Sequence, residues 1–123
     1  MQRWAVMNVR LVAMNVCTSH EEIVLDALPA TIGHGGDVQV RLHDPYVSRC
    51  HCEIEEMEGV LVVRDLGSKN GTYVNGCRIT EALLMPGHKL SMGQTRFLVC
   101  YECDVATSRA CTEHEQAYQC QES

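Results

Sequence analysis

The segment Asp65-Leu66-Gly67-Ser68-Lys69-Asn70-Gly71-Thr72-Tyr73-Val74-Asn75-Gly76 constrains the fold of this chain more than any other stretch. Asn75-Gly76 stands between two short β-prone pairs, Tyr73-Val74 and Cys77-Arg78. A two-residue link of this kind closes an antiparallel hairpin when both residues take positive φ, which Asn and Gly accept at least cost. Lys69-Asn70-Gly71 is a second sharp bend just upstream. A loop so constrained fixes amide donors and the Asn70 carboxamide in space, which suits holding another chain's backbone or an anion. The segment points to recognition rather than to chemistry.

Helix signals are scarce elsewhere. Short β-rich runs separated by Gly, Pro, Asn and Asp recur at 9–16, 23–28, 38–42, 50–55, 60–65, 72–74, 77–79, 89–92 and 96–101. Strands at this spacing predict an all-β fold, a two-sheet antiparallel β-sandwich. Alternation places Cys52 and Ile54 on one face, with His51, Glu53 and Glu55 on the other. Arg41 and His43 alternate with Val40 and Leu42 and read as surface residues. Glu56-Met57-Glu58-Gly59 and Met85-Pro86-Gly87-His88 read as turns. From about Asp104 the pattern fails, and 106–123 is polar and acidic with few large apolar residues. The expected organisation is a sandwich over 1–103 and a disordered tail over 104–123.

Length and charge narrow the partners. At 123 residues with 46% apolar content, the chain is a single globular domain. Residues 1–100 hold nine Lys/Arg and eleven Asp/Glu, net −2; residues 101–123 hold Arg109 against Glu102, Asp104, Glu113, Glu115 and Glu122, net −4. No basic run exists to track a phosphate backbone, so nucleic-acid binding is disfavoured. No apolar run approaches membrane-spanning length, and the start of the chain, broken by Arg10 and two asparagines, does not read as a secretory signal. The expected location is cytoplasmic and away from membranes. The eight cysteines then read as reduced thiols, several of them simply small buried side chains.

Catalytic patterns are missing from the sequence. No nucleophile–base pair stands at a recognisable elbow, no paired carboxylates bracket a cleft signal, and no Gly-rich phosphate loop opens a helix. Ser48 and His51 are spaced so that their side chains diverge. The chain is therefore read as a non-enzyme with no cofactor and no metal. One set competes: Cys100, Cys103, Cys111 and His114 offer four soft ligands for zinc. Against it, Cys100 belongs to the alternation of the last strand, and the spacer between Cys103 and Cys111 has no turn glycine.

Four blocks in order carry a family resemblance: Thr31-Ile32-Gly33-His34; Asp44-Pro45-Tyr46-Val47-Ser48-Arg49-Cys50-His51; Asp65 to Thr72 with Val74-Asn75-Gly76; and Pro86-Gly87 followed by Gly93. Across roughly 70 residues their spacing resembles a forkhead-associated (FHA) domain, a phosphothreonine-reading β-sandwich. The resemblance implies that phosphate is held by an arginine after the Ile-Gly pair, by the serine of Ser-x-x-His, and by groups in the loop before Asn-Gly. The asparagine of that loop grips the ligand backbone. Carried onto this chain, the phosphopeptide-binding residues are His34, Ser48, Arg49, Lys69 and Asn70. Gly33, His51, Gly71, Thr72 and Asn75 build the loops, and Tyr46 stands where side chains beyond the phosphothreonine are read. His51 is expected to face outward from its strand and to tie the two recognition loops together by hydrogen bonds. The competing readings are a turn cap for Ser48, a turn residue for Asn70, and solvated charges for Arg49 and Lys69.

The chain departs from the family at His34, which takes the place of the arginine. A guanidinium offers a phosphate two parallel donors. Imidazole, with a reference pKa of about 6.5, is shorter and forms no such fork. Losing one charged hydrogen bond costs roughly 1.5–3 kcal/mol, about ten- to a hundredfold in affinity. A phosphate dianion favours the imidazolium form, so His34 is expected to be a weaker, pH-sensitive stand-in helped by Arg49 and Lys69. The function implied is a phosphothreonine-dependent module that recruits a phosphorylated protein, a Ser/Thr kinase or its substrate, in kinase signalling. The alternative keeps the fold and drops the phosphate, leaving assembly or dimerisation through the same surface or a sheet face. Thr112, followed by Glu113 and Glu115, would be an internal ligand were a kinase to modify it.

Overall fold

The computed structural model describes residues 6–14 and 22–103. Expectations for the tail, for the Cys111 and His114 ligands and for Thr112 lie outside the described residues. Within them every regular element is a strand: β1 (Val6–Ala13), β2 (Glu22–Val24), β3 (Ala30–Gly33), β4 (Val40–Arg41), β5 (Cys52–Met57), β6 (Val60–Asp65), β7 (Thr72–Val74), β8 (Cys77–Ile79), β9 (Glu81–Leu84), β10 (Lys89–Met92) and β11 (Thr95–Cys103). A six-stranded sheet runs β2-β1-β11-β10-β7-β8, and a five-stranded sheet runs β4-β3-β5-β6-β9. Pairing is antiparallel except between β3 and β4, which run parallel with Ile32 beside Val40.

The strands bury one face each, as a half-buried pleat requires. Leu11, Leu90, Met92, Phe97 and Val99 from the larger sheet meet Ile32, Cys52, Ile54, Leu61, Val63 and Leu84 from the smaller one. Outward positions carry charge instead. Arg64 bridges Glu53, Glu55 and Glu81 on the five-stranded sheet, and Arg10 pairs with Glu22 on the other. Cys52 is wholly interior, and burial pushes its thiol up to about 12, so it acts as a small apolar side chain.

Two tight hairpins recur, one at the β8 edge of the larger sheet and one in the middle of the smaller. Asn75 and Gly76 link β7 to β8 with φ of 52° and 87°, and Glu58 and Gly59 link β5 to β6 with φ of 52° and 86°. Both are mirror-image turns whose twist matches the flanking strands. Asn75 does more than turn. Its side-chain oxygen accepts the Lys89 amide at 2.9 Å and its own amide donates to the Lys89 carbonyl at 2.8 Å, which ties the hairpin to the start of β10.

Three points differ from the sequence reading. The strands β3 and β9 were not expected, because β3 is short and leads into His34-Gly35-Gly36, and β9 begins with Glu81-Ala82, both weak strand formers. Cys50, Cys52 and Cys100 are free thiols, whereas Cys77 is disulfide-bonded, so a fully reduced set of cysteines does not hold. Such pairing depends on how closely two side chains approach in space, which composition does not reveal.

Candidate functional site

Three loops meet at one end of the sandwich: 34–39 after β3, 42–51 after β4 and 66–71 after β6. The end of β3 passes the second loop so closely that only glycine fits. A Cβ on Gly33 would lie 2.0 Å from the Arg49 carbonyl oxygen. The approach is held by a short ladder, in which the His51 amide donates to Ile32 O and the His34 amide to Ser48 O, both at 2.9 Å, and the Gly35 amide to Arg49 O at 3.2 Å. The backbones of His34 and Ser48 are thereby brought into direct contact.

Ser48 is also joined to the third loop. Its hydroxyl oxygen accepts the Lys69 amide at 3.0 Å, which leaves the hydroxyl proton to donate outward. Asn70 donates from Nδ2 to the Tyr46 carbonyl at 2.9 Å, and among the described residues its Oδ1 receives no donor. Tyr46 itself is half exposed at the loop tip. The structure therefore gathers Ser48, Lys69, Asn70 and Tyr46 into one rim, with Arg49 exposed beside Ser48. Neither Arg49 nor Lys69 has a carboxylate at ion-pair distance among the described residues.

His51 does not face outward, as alternation along its strand implied; it is fully buried. The residue precedes β5, so the pleat does not extend to it, and the ring turns inward between the loops. Its Nδ1 accepts the Ser48 amide at 3.0 Å and its Nε2–H donates to the Gly71 carbonyl at 2.9 Å. These bonds fix the neutral tautomer and join the second loop to the third. They also show why the pair is not catalytic: the ring's lone pair is spent on the Ser48 amide, leaving the hydroxyl without a base.

Two carboxylates that sequence reasoning left out of the site hold the rim from beneath. Asp65 accepts the hydroxyls of Ser68 and Thr72 on Oδ1, at 2.6 and 2.7 Å, and the amides of Gly67 and Ser68 on Oδ2, both at 3.0 Å. Ser68 then accepts the Gly71 amide at 2.9 Å, so the buried Thr72 and the whole bend hang from one carboxylate. Asp44 accepts the Tyr46 amide on Oδ1, and the Gln94 amide and Thr95 hydroxyl on Oδ2. Burial by itself raises the pKa of both acids; the hydrogen bonds outweigh it and hold both below the ordinary value. The signal for each was present in the sequence, since Asp followed two residues on by a turn amide is an Asx turn.

His34 is half-buried, with its Nδ1 3.1 Å from the Leu42 carbonyl. A carbonyl only accepts, so Nδ1 carries the proton and a neutral ring offers a ligand no more than the lone pair of Nε2.

The rim, the Ser-x-x-His bridge and the asparagine bend together match a known family along most of the sandwich, the FHA domain profile covering residues 30–93. This chain belongs to the FHA family. FhaA of Mycobacterium tuberculosis is 41% identical over 68 residues, which are 55% of this chain and 13% of FhaA. The glycogen accumulation regulator GarA of Mycolicibacterium smegmatis is 36% identical over 75 residues, 61% of this chain and 48% of GarA. The chain thus spans half or less of the length of these two relatives. An FHA domain solved in a structural and functional analysis of phosphothreonine-dependent FHA domain interactions superposes with a TM-score of 0.67 at 33% identity, covering 76% of this chain and 96% of that one. FHA domains are binding modules, not enzymes, and phosphothreonine peptides are ligands of FHA homologues.

Proposed function

We propose that this chain is a phosphothreonine-dependent binding module that recruits a phosphorylated partner in Ser/Thr kinase signalling in the cytoplasm. The observation that carries the reading is the convergence on one FHA rim of a Ser48 hydroxyl and an Asn70 carboxamide oxygen that, among the described residues, are respectively free to donate and without a donor. In this reading the phosphate sits against Ser48, and Arg49 and Lys69 supply the charge that the missing arginine would otherwise bring. Asn70 accepts an amide of the ligand backbone. Tyr46 lines the path of the flanking residues. His34 contributes least while its ring is neutral, because its only N–H is then spent on Leu42.

The partner proposed is a Ser/Thr kinase or one of its substrates, recognised through the phosphothreonine. An oriented phosphothreonine peptide library with an unphosphorylated control tests the function. Selection of a motif only from the phosphorylated set is expected. Equal capture from both sets would favour phosphate-independent assembly through the same rim.

A further inference from the structure

We propose that Arg78 is a specificity residue whose guanidinium reads an acidic side chain flanking the ligand's phosphothreonine. This rests on the phosphopeptide reading above and adds a residue which that reading does not use. Arg78 lies on β8, opposite Tyr73 on β7. Gly71 has φ of +92°, and the space that a Cβ would fill there is occupied by Arg78: its Nε, Cζ and Cδ lie 2.7, 3.0 and 3.2 Å from that position. The guanidinium is thus laid against the residue next to Asn70. From the same hairpin, the Tyr73 hydroxyl donates to the Asn70 carbonyl at 3.4 Å. The carboxamide proposed to grip the ligand and the guanidinium beside it are fastened to one short piece of backbone.

The charge pattern gives this placement its meaning. Arg10 and Arg64, on the two sheet faces, are both neutralised by glutamates. Arg78 is exposed and forms no ion pair among the described residues. With Arg49 next to Ser48 and Lys69 next to Asn70, it makes a third cation, from a third element, laid against the Asn70-Gly71 bend. A phosphate carries at most two negative charges at neutral pH, and Arg49 and Lys69 already answer them. The remaining cation calls for a second anion. A carboxylate fits, since the planar guanidinium can bind it with two parallel donors, and packing on Gly71 reduces the side-chain freedom lost on binding. A ligand held in extended form by Asn70 carries its next residues past this point at about 3.3 Å each.

The experiment uses the protein with phosphothreonine peptides in which each flanking position in turn is Asp, Glu or Ala, read by fluorescence anisotropy. The unmodified protein is expected to prefer the acid at one position by about three- to tenfold. Arg78→Gln is expected to abolish that preference while affinity for the all-Ala-flanked phosphopeptide stays within about twofold. Arg78→Lys, which keeps the charge and loses the fork, should retain a reduced preference, and it decides the matter if the Gln variant does not fold. An unchanged preference in either variant overturns the inference, as does a uniform loss across all peptides. Failure of the unmodified protein to bind any phosphopeptide overturns the underlying reading instead, before Arg78 is tested.

Discussion

At position 34 an imidazole hydrogen-bonds the Leu42 carbonyl through Nδ1, while its own backbone amide contacts Ser48. Under the proposed function the main chain at this position borders the phosphate, and the side chain is the weak element. His34→Arg would restore a guanidinium on that main chain, and phosphopeptide affinity is expected to tighten by a factor of about ten or more. Calorimetric titration of both proteins with one phosphothreonine peptide measures it; an unchanged or weaker affinity would mean that position 34 does not face the phosphate. Single residues also mark where the sequence was hardest to read. Gly33 stood in a recognisable motif, but its reason, a carbonyl 2.0 Å from where a Cβ would be, lies across the loop at Arg49. Arg78 and the inward turn of His51 were likewise invisible, because each is set by a contact between segments distant in sequence.

Among the elements, the bend from Asp65 to Thr72 behaves as one hydrogen-bonded unit hung from the Asp65 carboxylate. Asp65 and Asp44 both ionise below the ordinary value of 3.8, so their stabilisation is fully present above that pH. It is lost as pH falls through the lower folded-state values, because the unfolded chain then binds protons that the native one refuses. The urea midpoint is thus expected to drop in acid below about pH 4, and Asp65→Asn should start lower at neutral pH and fall less steeply. Parallel acid limbs in the two proteins would contradict this role. Elements with strong local signals were the ones legible beforehand. β6, β7, β8 and β10 run from the residues expected, and Asn75-Gly76 turns with the positive φ that its composition demanded. β3 and β9 were not, since neighbouring strands rather than their own residues hold them in place.

At the scale of the molecule, two sheets carry three loops that hydrogen bonds tie together at one end. The core is mainly apolar and Arg10 and Arg64 on the outer faces pair with glutamates, while Arg49 and Lys69 at the rim form no ion pair among the described residues. The central claim is that this rim still binds phosphothreonine after its arginine has become His34. Amide chemical-shift mapping with a phosphothreonine peptide and its unphosphorylated twin tests it most directly. The expected result is large shifts at His34, Ser48, Lys69 and Asn70 with the phosphorylated peptide and none with its twin. Shifts of equal size from both peptides, or shifts confined to a sheet face, would contradict it.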